Sequence, residues 1–154
     1  MANIAQSVNV ISPLMTTKNG VVKQATWWPL LLFSKYMRGN TIALNVRSPE
    51  YSGRTNPEWI RGTIETPLLD CSATISDDGW VTLAVVNVSE ESDYAVTLDG
   101  MDSKTVNVFT VGGSSVDAVN TESEQKVQIK ESTWENNGQF VFGKHSLTML
   151  RWKV

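Results

Sequence analysis

From Asn40 to its end, this chain sets apolar residues at every second position in short runs broken by glycine, asparagine and aspartate. That pattern fits antiparallel sheet and little else. Two such runs, residues 68–76 and 80–88, flank Asp77-Asp78-Gly79, so a β-hairpin is predicted there. Residues 41–47 place Ile42, Leu44 and Val46 on one face, as in a strand with one covered side. Further short strands are expected at 94–98, 105–111, 127–130, 139–142 and 146–152, the spacing of a sandwich. Residues 48–67 carry Pro49, Gly53, Pro57, Gly62 and Pro67 and read as a long loop, with Tyr51 and Trp59 as candidate anchors. Residues 112–125 are polar and read as exposed.

The first 39 residues follow a different rule. Ile4, Val8 and Ile11 recur at helical spacing, which predicts an amphipathic helix over 2–11 stopped by Ser12-Pro13. Barely three turns long and without an N-cap, that helix needs a surface to lie on. Asn19-Gly20 marks a turn, and residues 21–26 read as extended. Trp28-Pro29 opens a second helix that Arg38-Gly39 closes, with proline where a missing N–H costs nothing and glycine beyond the last turn. Leu30, Phe33 and Met37 form its expected inner face, widened by Leu31, Leu32 and Tyr36. A sandwich buries the inner faces of its own sheets, so both helices are expected to cover one end of it or to dock on another domain.

Composition narrows the function classes. A chain of 154 residues makes one ordinary domain. Its net charge of −3 and the absence of a Lys/Arg stripe argue against nucleic acid as a partner. The longest apolar run, residues 27–33, is far too short to span a membrane and contains Pro29. The given residues hold no signal-peptide pattern, which leaves secreted and cytoplasmic locations both open. Cys71 and His145 are the sole residues of their kinds, so neither an internal disulfide nor zinc-type spacing exists, and no metal or cofactor is expected. Gly112-Gly113 lacks the continuation of a phosphate loop. Asn87-Val88-Ser89 fits the glycosylation acceptor pattern. Glu50, Glu58, Glu65, Asp70, Asp77 and Asp78 show no spacing that pairs two of them, so no catalytic residue is assigned. Among six tryptophans, Trp27, Trp28 and Trp152 sit in apolar contexts and read as buried, whereas Trp59 and Trp134 lie among polar residues and are candidates for stacking on sugar rings.

Several segments taken together have a family look. ANIAQSVNVISPLMTT, the Trp-Trp-Pro helix start, Asp70-Cys71-Ser72-Ala73-Thr74, the Asn87-Val88-Ser89 strand and the closing SLTMLRW resemble the C-terminal portion of the family 51 α-L-arabinofuranosidases over essentially the whole chain. The resemblance implies a mainly β fold, an antiparallel jelly-roll-like β-sandwich preceded by two short N-terminal helices. Residues 1–12 would be the remnant of the last helix of a (β/α)8 barrel, 13–39 a connecting segment and helix, and 40–154 the sandwich. It also implies removal of terminal L-arabinofuranose from arabinan or arabinoxylan with retention, which takes two carboxylates roughly 5 Å apart. In the family both are glutamates on barrel strands before this segment, so the chain by itself is expected to be inactive. Gln6 matches the family glutamine of the NIAQ motif, a sugar-pocket residue once the barrel is present. The implied partners are that barrel, in the same or a separate chain, and arabinose-containing oligosaccharides. A free-standing carbohydrate-binding or interaction module is the alternative. The apolar faces of the two helices predict self-association of the isolated chain.

Overall fold

A computed structural model describes residues 4–51, 57–60 and 66–154. Its centre is a six-stranded sheet in which every neighbouring pair is antiparallel. In chain order the strands are β3 (Asn40–Ile42), β4 (Leu69–Ile75), β5 (Trp80–Asn87), β7 (Thr105–Gly112), β8 (Gln128–Glu135) and β10 (Ser146–Lys153). In space they run β3-β4-β5-β10-β7-β8. β6 (Tyr94–Thr97) and β9 (Gln139–Phe142) form a separate two-stranded sheet, and β1 (Leu14–Thr16) with β2 (Val21–Lys23) form a small hairpin. The described helix is α1 (Trp27–Tyr36), and a single 3₁₀ turn spans Glu58–Ile60.

The six-stranded sheet is covered on both faces, and the sequences of β5 and β10 reflect it. Residues 81–85 and 146–150 are buried without a break, because alternate side chains enter two different cores. Val81, Leu83, Val85, Val106, Val108, Leu150 and Trp152 face β6 and β9, where Phe142 is fully buried. Ala84, Phe109, Val111, Leu147 and Met149 face the other way, against Leu32 of α1. The predicted hairpin at 68–88 is present as β4 and β5, with Gly79 in the left-handed region at φ 80°. The strand at 139–142 matches its expected range, and β8 runs longer than expected.

Three expectations need correction. The first concerns residues 4–11, which form no helix and are exposed throughout. Asn9 and Val10 take φ of 64° and 59°, and the Asn9 Oδ1 accepts hydrogen bonds from the Thr16 backbone N–H (2.7 Å) and hydroxyl (2.9 Å). A short segment with no surface to bury on gains little from helix, and the asparagine offers the backbone another arrangement.

The second concerns the inner face and docking of α1. The helix lies on the six-stranded sheet of its own chain, and its inward side runs Trp28, Leu32, Tyr36, four residues apart. Leu32 is 1 % exposed, whereas Leu31 and Phe33 are 37 % and 38 % exposed. The Tyr36 ring meets Phe109 at 4.7 Å, and the Arg151 guanidinium lies between Tyr36 (4.9 Å) and Trp80 (3.9 Å). The Thr82 hydroxyl donates to the Tyr36 carbonyl at 3.1 Å, which satisfies one of the helix's last acceptors. Gly39 then turns the chain into β3 at φ 100°, where any Cβ would collide with the backbone of Ile75.

The third concerns the strand at 41–47, which pairs with β4 only as far as Ile42. The described sheets are also unequal, six strands against two, with no second sheet of comparable size as in a full jelly roll.

The β1–β2 hairpin is tied to the 113–127 loop by Asn120. Its Nδ2 donates to the Lys23 (2.8 Å) and Val127 (2.7 Å) carbonyls, and its Oδ1 accepts from the Val127 N–H at 2.8 Å. At the hairpin's tip Asn19 Nδ2 donates to Glu122 at 3.0 Å.

Candidate functional site

A broad concavity opens on the β6–β9 side of the six-stranded sheet. It is a cleft of about 880 Å³ walled by residues 42–47 on one side and 94–101 on the other. Its floor is apolar, with Leu69, Ala73, Val81, Leu83, Val85 and Trp152. Asp99 is the one side-chain carboxylate that lines it among the described residues, and Arg47 brings one cation. Retaining glycoside cleavage uses two facing carboxylates, and the described lining brings one. A smaller hollow of about 320 Å³ beside it holds Glu50 and Asp70 together with Ser48 and Cys71. Both carboxylates are exposed.

Cys71 projects from β4 toward the β6–β9 core, and burial raises its thiol pKa, which disfavours the thiolate. His145 lies in the turn before β10 at φ 39°, with Nε2 against the Gly113 carbonyl at 3.2 Å. Each is held by its own surroundings, and no group of three or more potential metal ligands exists among the described residues.

Gln6 is exposed on the irregular opening segment. Trp59, on the 3₁₀ turn, is 74 % exposed. Trp134 does not follow its polar sequence neighbours. Strand alternation turns its indole inward, where it meets Phe140 edge-on at 5.2 Å and packs on the β6–β9 core. Asn87 is 1 % exposed and fully engaged: its Nδ2 donates to the Ser92 (3.0 Å) and Phe142 (3.1 Å) carbonyls, and its Oδ1 accepts from the Ser89 N–H. In the folded chain the acceptor nitrogen is therefore closed to glycosylation. Of the six carboxylates considered from sequence, Glu65 lies outside the described residues. Asp77 and Asp78 form the β4–β5 turn, where a hydrogen bond from the Ser76 hydroxyl lowers the Asp78 pKa.

The family model for the α-L-arabinofuranosidase C-terminal domain matches residues 1–146. The chain belongs to that family. Aligned over its whole length, the domain is 58 % identical to a probable α-L-arabinofuranosidase C of Aspergillus niger and spans 30 % of that relative. Among solved structures it superposes on the family 51 α-L-arabinofuranosidase of Thermotoga petrophila with a TM-score of 0.81 at 24 % identity, covering 97 % of this chain and 33 % of that one. The Thermotoga maritima α-L-arabinofuranosidase, solved as an arabinose complex, gives 0.80 at 23 % identity over 97 % of this chain and 33 % of its own. At such identities the two superpositions establish the fold. The C-terminal domain thus spans about a third of the length of the proteins it matches, as the resemblance of its opening block implied.

Proposed function

We propose that this chain serves as the accessory β-sandwich of a retaining α-L-arabinofuranosidase that hydrolyses terminal α-L-arabinofuranosyl residues of arabinan or arabinoxylan, the catalytic glutamates lying in the portion outside these residues. The observation that carries the reading is the full-length match of this chain to only 30 % of a named α-L-arabinofuranosidase. The cleft chemistry agrees, because its lining among the described residues brings one side-chain carboxylate over an apolar floor. Residues 1–12 then belong on the side of the catalytic barrel, and Gln6 reaches the sugar only when that barrel is beside it. Exposed Val10 (74 %), Ile11 (72 %) and Val21 (60 %), near outward Leu31 and Phe33 in sequence, supply apolar surface for that contact. The same surface leads the isolated chain to self-associate, and sedimentation that finds a monomer at high concentration counts against it.

Offered a chromogenic arabinofuranoside, the purified chain is expected to release nothing above the blank. Turnover abolished by replacing one of its own carboxylates overturns the accessory reading. One observation favours a second reading, a carbohydrate-binding module: Trp59 is a large aromatic exposed to 74 %. With Trp134 engaged in the core, that reading rests on Trp59. Saturable quenching of tryptophan fluorescence by arabinoxylan oligosaccharides, lost in Trp59→Ala, supports it; a flat titration removes it.

A further inference from the structure

The β1–β2 hairpin has a second edge, and a single side chain occupies it. The Thr17 N–H donates to the Gly20 carbonyl at 2.8 Å and the Gln24 N–H to the Pro13 carbonyl at 2.9 Å. Since antiparallel partners alternate, Met15 also turns its backbone groups to β2, and Leu14 and Thr16 turn theirs to the other side. No further strand pairs with β1 there among the described residues. Asn9 takes that place. Its backbone N–H donates to the Leu14 carbonyl at 2.7 Å, and its Oδ1 accepts from the Thr16 N–H at 2.7 Å and the Thr16 hydroxyl at 2.9 Å. One asparagine thus offers the edge a donor and an acceptor, as a strand would, and Val8 meets Leu14 beside it in an isolated parallel bridge.

This clasp is held against a backbone cost. Asn9 and Val10 both lie in the left-handed region, at φ 64° and 59°. Asparagine tolerates that conformation, but a β-branched valine there is an outlier that persists only where its surroundings over-determine it. Burial does not hold it, since Val10 is 74 % exposed. Hydrogen bonds do: Ser12, with no exposed surface, donates its N–H to the Asn9 carbonyl at 3.1 Å and its hydroxyl to the Leu14 carbonyl. The strained pair follows Gln6 within one short segment, and Gln6 is exposed on it. Strain of this kind collects where the fold has to hold a functional group in one place.

We infer that Asn9 is a positioning residue for sugar recognition: its clasp on the free edge of β1 fixes the direction in which the opening segment presents the Gln6 amide to an arabinofuranosyl ring. The inference rests on the accessory-domain reading above, in which Gln6 reaches the sugar beside the barrel, and names what holds it there. A loose segment would lose backbone freedom at every binding event, whereas a clasped one has lost it on folding.

The test uses a chimaera in which the aligned 30 % of the Aspergillus niger relative is exchanged for this chain, so that every substitution is made in the present sequence. Asn9→Ala is expected to lower kcat/KM on a chromogenic arabinofuranoside about 10- to 100-fold, the effect of misplacing a binding group by about an ångström. Asn9→Gly keeps the left-handed backbone and removes the clasp, so its loss matches that of Asn9→Ala; Asn9→Asp keeps the acceptor and recovers most of that loss. In a Gln6→Ala background Asn9→Ala is expected to cost less than about twofold, because the group that it positions is gone. Full additivity of the two substitutions overturns the inference, as does an Asn9→Gly chimaera as active as the unsubstituted one. A second readout needs no turnover. In the 154-residue chain the Thr16 amide is expected to exchange at least about 10-fold more slowly than in the Asn9→Gly variant. Equal rates mean that the clasp does not form, and they too overturn the inference. Failure of the accessory reading is seen separately, as turnover by the 154-residue chain alone.

Discussion

The two faces of the six-stranded sheet are finished to different degrees. On one, α1 closes over Ala84, Phe109, Leu147 and Met149, and Leu32 is sealed at 1 % exposure. On the other, β6 and β9 cover the β7–β8 side through Phe140, Phe142 and Trp134, and the β3–β4 side opens into the cleft. An apolar helix face with a complete neighbour is a self-sufficient core. A strand edge above an apolar floor is half of one. The chain thus carries within itself what holds its helix, and leaves the apolar floor beside β6 open.

The contrast can be broken most forcefully at its closed side. Leu32→Ala is expected to destabilise the isolated chain by about 2–5 kcal/mol, as cavities at sealed leucines do. Chemical denaturation measures it, and a loss below about 1 kcal/mol would mean that α1 is not anchored as described. Asn87→Ala comes next, at about 2 kcal/mol, because it strips partners from the Ser92 and Phe142 carbonyls and the Ser89 N–H at the junction of β5 with the β6–β9 layer. Mass analysis of the chain made in a glycosylating host is expected to find Asn87 bare. Leu44→Ala sharpens the open side: its cost in the isolated chain is expected within about 0.5 kcal/mol, since the side chain already meets water, and a cost above about 1 kcal/mol in chemical denaturation would mean that Leu44 is covered in solution.

The smallest effect concerns pH. Hydrogen bonds from Thr17 and Asn19 hold the Glu122 carboxyl below its usual pKa. A carboxylate favoured by folding contributes stability that is present above its unfolded pKa and fades as pH falls through its folded one. Glu122→Gln is therefore expected to flatten slightly the decline in melting temperature on acidification below about pH 5, with no change near neutrality. An unchanged acid limb would mean that the Asn19–Glu122 contact is not formed in solution.

Much of the fold was legible from residue order. The β4–β5 hairpin follows from Asp77-Asp78-Gly79 between alternating runs, and β9 and β10 follow from their own alternation. α1 was legible from Trp28-Pro29 and Arg38-Gly39, but its inner face was not. Seven large apolar residues in succession leave the period ambiguous, and the sheet beneath selected Trp28, Leu32 and Tyr36. The opening helix failed because periodicity describes what a segment can bury and not whether a surface is there. Trp134 misled through its polar neighbours, which occupy the outward face of the same strand while the indole takes the inward one. The cleft was not readable, since its walls come from residues about fifty positions apart.

By itself the order of residues determined most strands of the six-stranded sheet, the β4–β5 turn and the family, because alternation, turn chemistry and the NIAQ-to-Trp-Trp-Pro block are local properties of the chain. Tertiary structure alone decided which face of α1 is buried, that Asn87 is enclosed, and that residues 94–101 look onto an open apolar floor. Those outcomes depend on which distant strand arrives as a neighbour, and a side chain or a backbone N–H has no burial or partner until it does.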